Sequence, residues 1–252
     1  MKTPCIEVLF AAWLLAACAP VGVTAQAGYA QVALRGDIAL TDDMGSGGTR
    51  QDFDSAFGLG DERGSPFVRA QVDFGVPVLT ASGFWLRESG SGVLDETFGG
   101  LPAATPVDSD LELTVGKFSC TADIDLGPVT VSPGLAVDVF DLYFRVREQA
   151  LGNSEEIDDI LALPMLFVRV EGRFGGLRLG ADCGYLEIPD LDRNNGRFFD
   201  LEALAEWTVL SEASVFCGYR FIDLDAKGDT DTQSFAVDLQ IRGWFVGGGL
   251  RF

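Results

Sequence analysis

Residues Trp244 to Phe252 read "WFVGGGLRF". Trp244, Val246, Leu250 and Phe252 share one parity, and glycines or Arg251 fill most of the other. A side-chain period of two marks a strand with a different environment on each face. Terminal backbone is normally loose and polar because little ties it down. A chain that runs flush into a phenylalanine is expected to use that residue in its fold.

The same alternation recurs upstream. In "YAQVALRGDIAL" the residues Ala30, Val32, Leu34, Ile38 and Leu40 oppose Gln31, Arg35 and Asp37. In "PFVRAQVDF" Val68, Ala70, Val72 and Phe74 oppose Arg69, Gln71 and Asp73. "PMLFVRVEGRF", "GLRLGADCGY" and "RFFDLEALAEW" repeat the pattern between residues 164 and 207. Short turns are expected at Gly75-Val76-Pro77, Leu126-Gly127-Pro128, Gly175-Gly176 and Leu210-Ser211-Glu212. Longer polar stretches lie near 41–64, 89–108, 149–160, 188–197 and 225–231. Alternating short and long connections describe an antiparallel up-and-down meander of about ten strands, with eight or twelve as alternatives. Two segments switch parity, one between Val139 and Phe140 and one between Ile241 and Trp244. A β-bulge would do this, and Gly243 suits one. Alternatively, the far halves of these strands project beyond a membrane.

Two pictures assign the faces. In a soluble barrel the apolar parity points inward; in a membrane barrel it meets lipid and the polar parity lines the lumen. The polar parity carries charges of both signs, which suits mutual pairing in a narrow interior. The membrane picture therefore expects lumen-facing Arg35, Asp37, Arg69, Asp73, Asp138, Arg169, Glu171, Arg173, Arg178, Asp182, Asp200, Glu202, Glu206 and Arg220. Tyr185, Trp207, Tyr219 and Trp244 stand on the apolar parity as girdle residues would. A spanning sheet must also close on itself, because a bilayer leaves unpaired backbone groups without water.

With Gly247, Leu250 and terminal Phe252, the last strand resembles the assembly signal of Gram-negative outer-membrane β-barrel proteins. Phe245 stands where that signal usually begins with a polar residue. Residues 218–252 resemble the final hairpin of small barrels of this class, and residues 57–74 more loosely their second strand. The resemblance implies a closed antiparallel transmembrane β-barrel with short periplasmic turns and longer extracellular loops. It also implies an outer-membrane location, with lipid, lipopolysaccharide and the barrel-assembly machinery as partners. It carries no activity with it.

Residues 1–25 read as an export leader: Lys2, an apolar run from Val8 to Cys18, then a small-residue site before Gln26. Residues 26–252 would form the barrel. Leu15-Ala16-Ala17-Cys18 also fits a lipoprotein signal, which would place lipid on Cys18. Cleavage before Gln26 leaves Cys120, Cys183 and Cys217, an odd number and not a disulfide framework. They read as small apolar surface residues.

A net charge of -20 excludes nucleic acid as a partner. The chain has no histidine, so no serine–histidine hydrolase, histidine-using acyltransferase or omptin-type protease can be carried onto it. Asp200, Glu202 and Glu206 share one strand face and could act on a glycoside, but such charges are more simply salt-bridged to neighbouring arginines. "DLDAKGDTD" (223–231) loosely matches a calcium loop but has Lys227 at a ligand position and lacks its final glutamate. It and "EEIDD" (155–159) read as solvated loops, open to weak divalent bridging of lipopolysaccharide phosphates. No cofactor or metal is expected. The leading expectation is a monomeric, non-enzymatic barrel with a structural or surface-contact role and a charge-filled lumen. A narrow porin-like channel is the alternative.

Overall fold

A computed structural model describes residues 22–42, 50–191, 194–229 and 233–252. The expected leader lies outside the described residues except for Gly22–Ala25, which belong to the first strand.

Ten long strands form the barrel: β1 (Gly22–Asp42), β3 (Arg63–Asp73), β4 (Val78–Val93), β5 (Pro106–Thr121), β7 (Val129–Glu148), β8 (Ser154–Phe174), β9 (Leu177–Leu191), β10 (Asn194–Leu210), β11 (Ala213–Asp229) and β12 (Gln233–Arg251). Each pairs antiparallel with its sequence neighbours, and β12 pairs with β1 from Thr24↔Arg251 to Asp42↔Gln233, closing the sheet. Two short extras extend the wall beyond the ends of β3 and β5: β2 (Gln51–Asp52) on β1, and β6 (Ile124–Asp125) on β7. Phe252 joins the seam. Its N–H donates to the Val23 carbonyl at 2.8 Å, and Val23 N–H donates to its carbonyl at 3.2 Å. The tight turns and both described chain ends share one end of the barrel, the turn end. Gly75 and Gly127 hold positive φ there (82° and 81°), which a side chain would strain.

All the barrel strands but β3 are too long for a bilayer alone. β1 and β8 have 21 residues and β7 has 20, whereas a tilted transmembrane strand needs about 9–11. The surplus projects by roughly 25 Å at the loop end, taking ~10 residues at ~3.3 Å each and a tilt near 40°. The wall consequently has two zones of opposite polarity. Near the turn end the outside is apolar: Leu135, Leu166, Trp207, Val215, Trp244, Val246 and Leu250 are exposed. Beyond this band the outside carries Asp108, Asp110, Glu112, Asp141 and Glu156, while Leu111, Leu113, Phe140, Phe144, Ile222 and Ile241 are buried inside. The projecting half is thus a water-soluble barrel stacked on a membrane barrel.

This resolves the parity switches. β7 pairs with β5 and β8, and β12 with β1 and β11, without a register shift near either switch. No bulge is present at Gly243. The backbone runs straight through, and the apolar residues change face because the solvent outside changes from lipid to water. It also relocates the aromatic residues. Tyr185, Tyr219 and Trp244 stand mid-strand, with Tyr219 and Trp244 in ring contact at 4.7 Å, and Trp207 lies near the turn end. The stretches 89–93, 106–108, 154–160, 188–191, 194–197 and 225–229, expected in loops, are strand. "EEIDD" lies within β8. Asp231 of the calcium-like stretch falls outside the described residues.

Candidate functional site: a sealed lumen

The apolar exterior of the membrane zone leaves the inward parity to polar groups, and those groups meet at the waist. Arg220 on β11 donates from Nε to Asp200 Oδ1 (3.0 Å) and from Nη2 to Asp138 Oδ2 (2.8 Å). Lys117 on β5 reaches Asp200 Oδ2 at 2.9 Å and Glu202 Oε2 at 3.2 Å. Glu202 also accepts from Arg69, which lies 3.5 Å from Asp182. Arg169 grips Asp182 through two parallel bonds, at 2.8 and 2.9 Å, and donates to Thr80 Oγ1 at 2.9 Å. The contacts form one chain that crosses the lumen: Asp138, Arg220, Asp200, Lys117, Glu202, Arg69, Asp182, Arg169, Thr80. It ties together eight of the ten barrel strands. Four cations meet four carboxylates, and every one of these side chains is at most 5% exposed. A second cluster lies nearer the turn end, where Arg178 pairs with Glu206 and Glu171, and Gln26 donates to Glu206 at 3.1 Å.

Aromatic rings fill the remaining interior. Phe67 stacks on Phe245 at 4.3 Å, with Phe216 beside both. Phe216 lies where a Cβ on Gly247 would sit (2.6 Å), so that glycine makes room for a ring. Phe167 lies under both Lys117 and Arg169 (5.9 and 5.7 Å), a cation–π arrangement.

The loop end is stoppered separately. A short helix, Phe53–Phe57, is capped by Asp52, whose side chain accepts from Asp54 N and Ser55 N. It lies inside the mouth against β4, where a Cβ on Gly90 would come within 2.1 Å of the Gly58 carbonyl oxygen that caps the helix, and one on Gly92 within 2.2 Å of the Ala56 carbonyl oxygen. Phe57, fully buried, makes edge contacts with Phe98 and Phe144 at 5.3 and 5.1 Å. Leu59, Leu94 and Leu101 complete the stopper. Below it, buried Glu88 Oε1 accepts from Gly60 N and Asp61 N, both at 3.1 Å, and pairs with Arg63.

Of the expected lumen charges, Arg69, Asp138, Arg169, Glu171, Arg178, Asp182, Asp200, Glu202, Glu206 and Arg220 are buried in the interior. Arg35 and Asp37 are not lumen residues. They lie on the outer wall of the projecting half, because there β1 turns Val32 and Leu34 inward. Asp73 and Arg173 sit at the turn-end rim. Asp73 accepts from Gly75 N, and Arg173 is 67% exposed. Lys117 and Gln26 belong to the interior network and were not among the expected residues. The parity of β5 offered the signal for Lys117, which shares its face with Leu113 and Val115 and stands opposite outward Phe118. Leu250 and Phe252 face outward at the seam, 51% and 74% exposed.

On the outer wall near the loop end, Asp52, Asp37, Asp238 and Asp225 fall in one cross-strand row. Arg50 sits 3.6–3.7 Å from Asp37, Asp225 and Asp238. Burial, and then the neighbouring Asp225 carboxylate, push the Asp238 carboxyl above its ordinary pKa. Among the described residues no group of three or more histidine, cysteine or acidic side chains is arranged to hold a metal ion. Nor is any helix among them long and apolar enough to cross a membrane; the strands do the crossing. Cys120, Cys183 and Cys217 are free thiols.

A cavity of about 10 Å³ lies between Val32, Phe67, Phe84, Arg220 and Ile241, room for about one water. A hollow of about 500 Å³ lies instead on the lipid-facing wall, among Ala70, Leu79, Phe118 and Leu135. Asp200, Glu202 and Glu206 are buried, and each is paired with an arginine or a lysine.

No protein-family model and no curated protein sequence matches the chain. Solved structures do match in fold. The outer membrane protease OmpT from Escherichia coli is similar over 94% of this chain and 99% of its own, at 10% identity and a TM-score of 0.51. The attachment invasion locus protein Ail of Yersinia pestis matches over 92% and 99% at 12% identity (TM-score 0.40). The translocator domain of the autotransporter NalP from Neisseria meningitidis matches over 98% and 94% at 13% identity (TM-score 0.44). The chain has the closed barrel fold of outer-membrane β-barrel proteins.

Proposed function

We propose that this protein is a non-enzymatic outer-membrane barrel that passes no solute and holds a rigid, acidic platform outside the cell for surface contact. The observation that carries this reading is the unbroken ion-pair chain across the waist. A conducting pore needs a wet path, and here each charge is already neutralised by a neighbour. The stopper of Phe53, Phe57 and Phe98 closes the mouth a second time. The projecting half supplies the platform, with Asp108, Asp110, Glu112, Asp141 and Glu156 outside and an apolar core within. Export to the outer membrane, assembly there as a monomer, and contact with lipid and lipopolysaccharide belong to the same reading. The proteolysis that names OmpT does not transfer, since this chain has no histidine and its buried carboxylates are paired.

Planar-bilayer recording tests the reading against a narrow channel. The purified barrel is expected to insert and show no stepwise conductance in 1 M salt. Steady, reproducible steps would overturn the sealed-lumen proposal and favour a channel selected by Arg69, Arg169 and Arg220.

A further inference from the structure

The wall has two gaps in its ladder on the loop side. Between β3 and β4 the pairing ends at Phe67↔Phe84, and between β8 and β9 it ends at Leu166↔Tyr185. The first gap is stitched by side chains. Ser65 Oγ donates to the Trp85 carbonyl and accepts the Trp85 N–H (2.6 and 3.0 Å), and Glu88 holds Gly60, Asp61 and Arg63. The second gap has no such stitch. Beyond Leu166, β8 keeps its ladder to β7 as far as Arg147↔Ser154, but no hydrogen bond or ion pair joins Ser154–Met165 to β9 among the described residues.

This stretch of β8 has the marks of a free strand edge. Pro164 has no N–H to offer a neighbour, which sheets tolerate at edges and bulges. The Ile160 N–H donates to the Asp159 carboxylate at 2.8 Å instead of to a strand. In an antiparallel sheet alternate residues turn both backbone groups to the same side, so Glu156, Asp158, Ile160 and Ala162 present theirs to the gap. Side chains on both faces are open as well: Ile160 is 67% exposed and Leu161, which points the other way, 41%.

We propose that this edge takes up an extended, basic segment of another polypeptide as an added strand. Strand addition draws affinity from the backbone ladder and specificity from alternate side chains. The side chains flanking the edge are acidic and apolar in turn, with Asp158 beside Ile160 on the outer face and Asp159 beside Leu161 on the inner. Glu156 already has Arg145 at 2.6 Å, whereas Asp158 and Asp159 enter no ion pair among the described residues. A segment that alternates lysine or arginine with aliphatic residues complements this pattern. A second copy of the chain does not, because β8 against β8 would set carboxylates against carboxylates, and like charges directly opposite destabilise a pair. The charges that guard an exposed edge against self-association thereby select the sign of the partner.

The inference deepens the surface-contact reading and rests on it. The probe is a synthetic peptide alternating lysine and valine, added to the folded full-length barrel in nanodiscs. Binding is expected to slow amide hydrogen exchange between Glu156 and Ala162. A glutamate–valine peptide, and the lysine–valine peptide with its backbone N-methylated, are expected not to bind. Ile160→Pro deletes one edge N–H and is expected to weaken binding about tenfold, with the gel-mobility shift showing a folded barrel. No binding of the lysine–valine peptide, or binding that leaves β8 exchange unchanged, overturns the inference. Equal binding by the N-methylated peptide or to Ile160→Pro does the same, since it would mean charge attraction without a ladder. Self-association of the barrel through β8 overturns the choice of partner. Failure of the surface-contact reading looks different: in Asp158→Cys, a thiol that a membrane-impermeant maleimide cannot label on intact cells would place the edge away from the cell exterior, whatever the peptide does.

Discussion

Asp200→Ala is expected to destabilise the barrel by about 3–5 kcal/mol, the typical cost of stripping one partner from a buried ion pair. Asp200 is 1% exposed and accepts from two cations, Arg220 and Lys117. Its loss leaves Arg220 with Asp138 and Lys117 with Glu202, so four cations would face three carboxylates in a buried interior. A cavity forms as well. Urea unfolding in liposomes, followed by the gel-mobility shift of the folded barrel, reads the change as a lower midpoint at unchanged slope. The partner control is a double change, Asp200→Leu with Lys117→Met, which removes one charge of each sign and keeps volume. It is expected to recover much of the loss, since apolar replacement of a buried pair is often near neutral. A single variant as stable as the parent would mean that the network is not held as the structure shows.

The second large effect concerns the mouth. In Gly90→Leu, the new Cβ would fall 2.1 Å from the Gly58 carbonyl oxygen, and backbone cannot yield as a flexible side chain can. The Phe53–Phe57 helix must then leave the lumen. Phe57→Ala attacks the same stopper from the other side, removing a fully buried ring at a cost of about 3–5 kcal/mol. Both variants are expected to become sensitive to protease between residues 53 and 62 on intact cells, while the parent resists. The barrel itself should keep its resistance to detergent until boiled, because neither change touches the membrane zone. Continued resistance in both variants would contradict the docked stopper.

How much of this was legible in the sequence depends on which half of each strand is read. The strand count, the four tight turns and the closing role of Phe252 follow from local pattern, since period two and turn glycines are short-range signals. The inward charges of β8 to β11 were legible for the same reason: Arg169, Asp182, Asp200 and Glu202 alternate with apolar neighbours. The height of the membrane was not. Val32 and Leu34 in β1 make the same alternation as Val68 and Ala70 in β3, yet the first pair faces the core and the second faces lipid. Only the three-dimensional level of a residue decides this, and level is set by register across the whole sheet. Arg35 and Asp37 were misplaced for that reason. Residues 154–160 hid their strand because charges occupy both parities of β8 there. Lys117 shares its face with Leu113 and Val115, so the parity of β5 points it inward, but placing it at the waist also needed the height of the membrane.

The central claim is that one continuous wall changes polarity with height, apolar outside in the membrane zone and polar outside beyond it. Single cysteines on the outer wall test it most directly, with Cys120, Cys183 and Cys217 replaced by alanine. A membrane-impermeant maleimide applied to intact cells should label cysteines at Glu112, Asp141 and Asp238. It should leave those at Leu166, Val168 and Val246 unlabelled until the barrel is boiled. Labelling of the second set on intact cells, or protection of the first, would contradict the account.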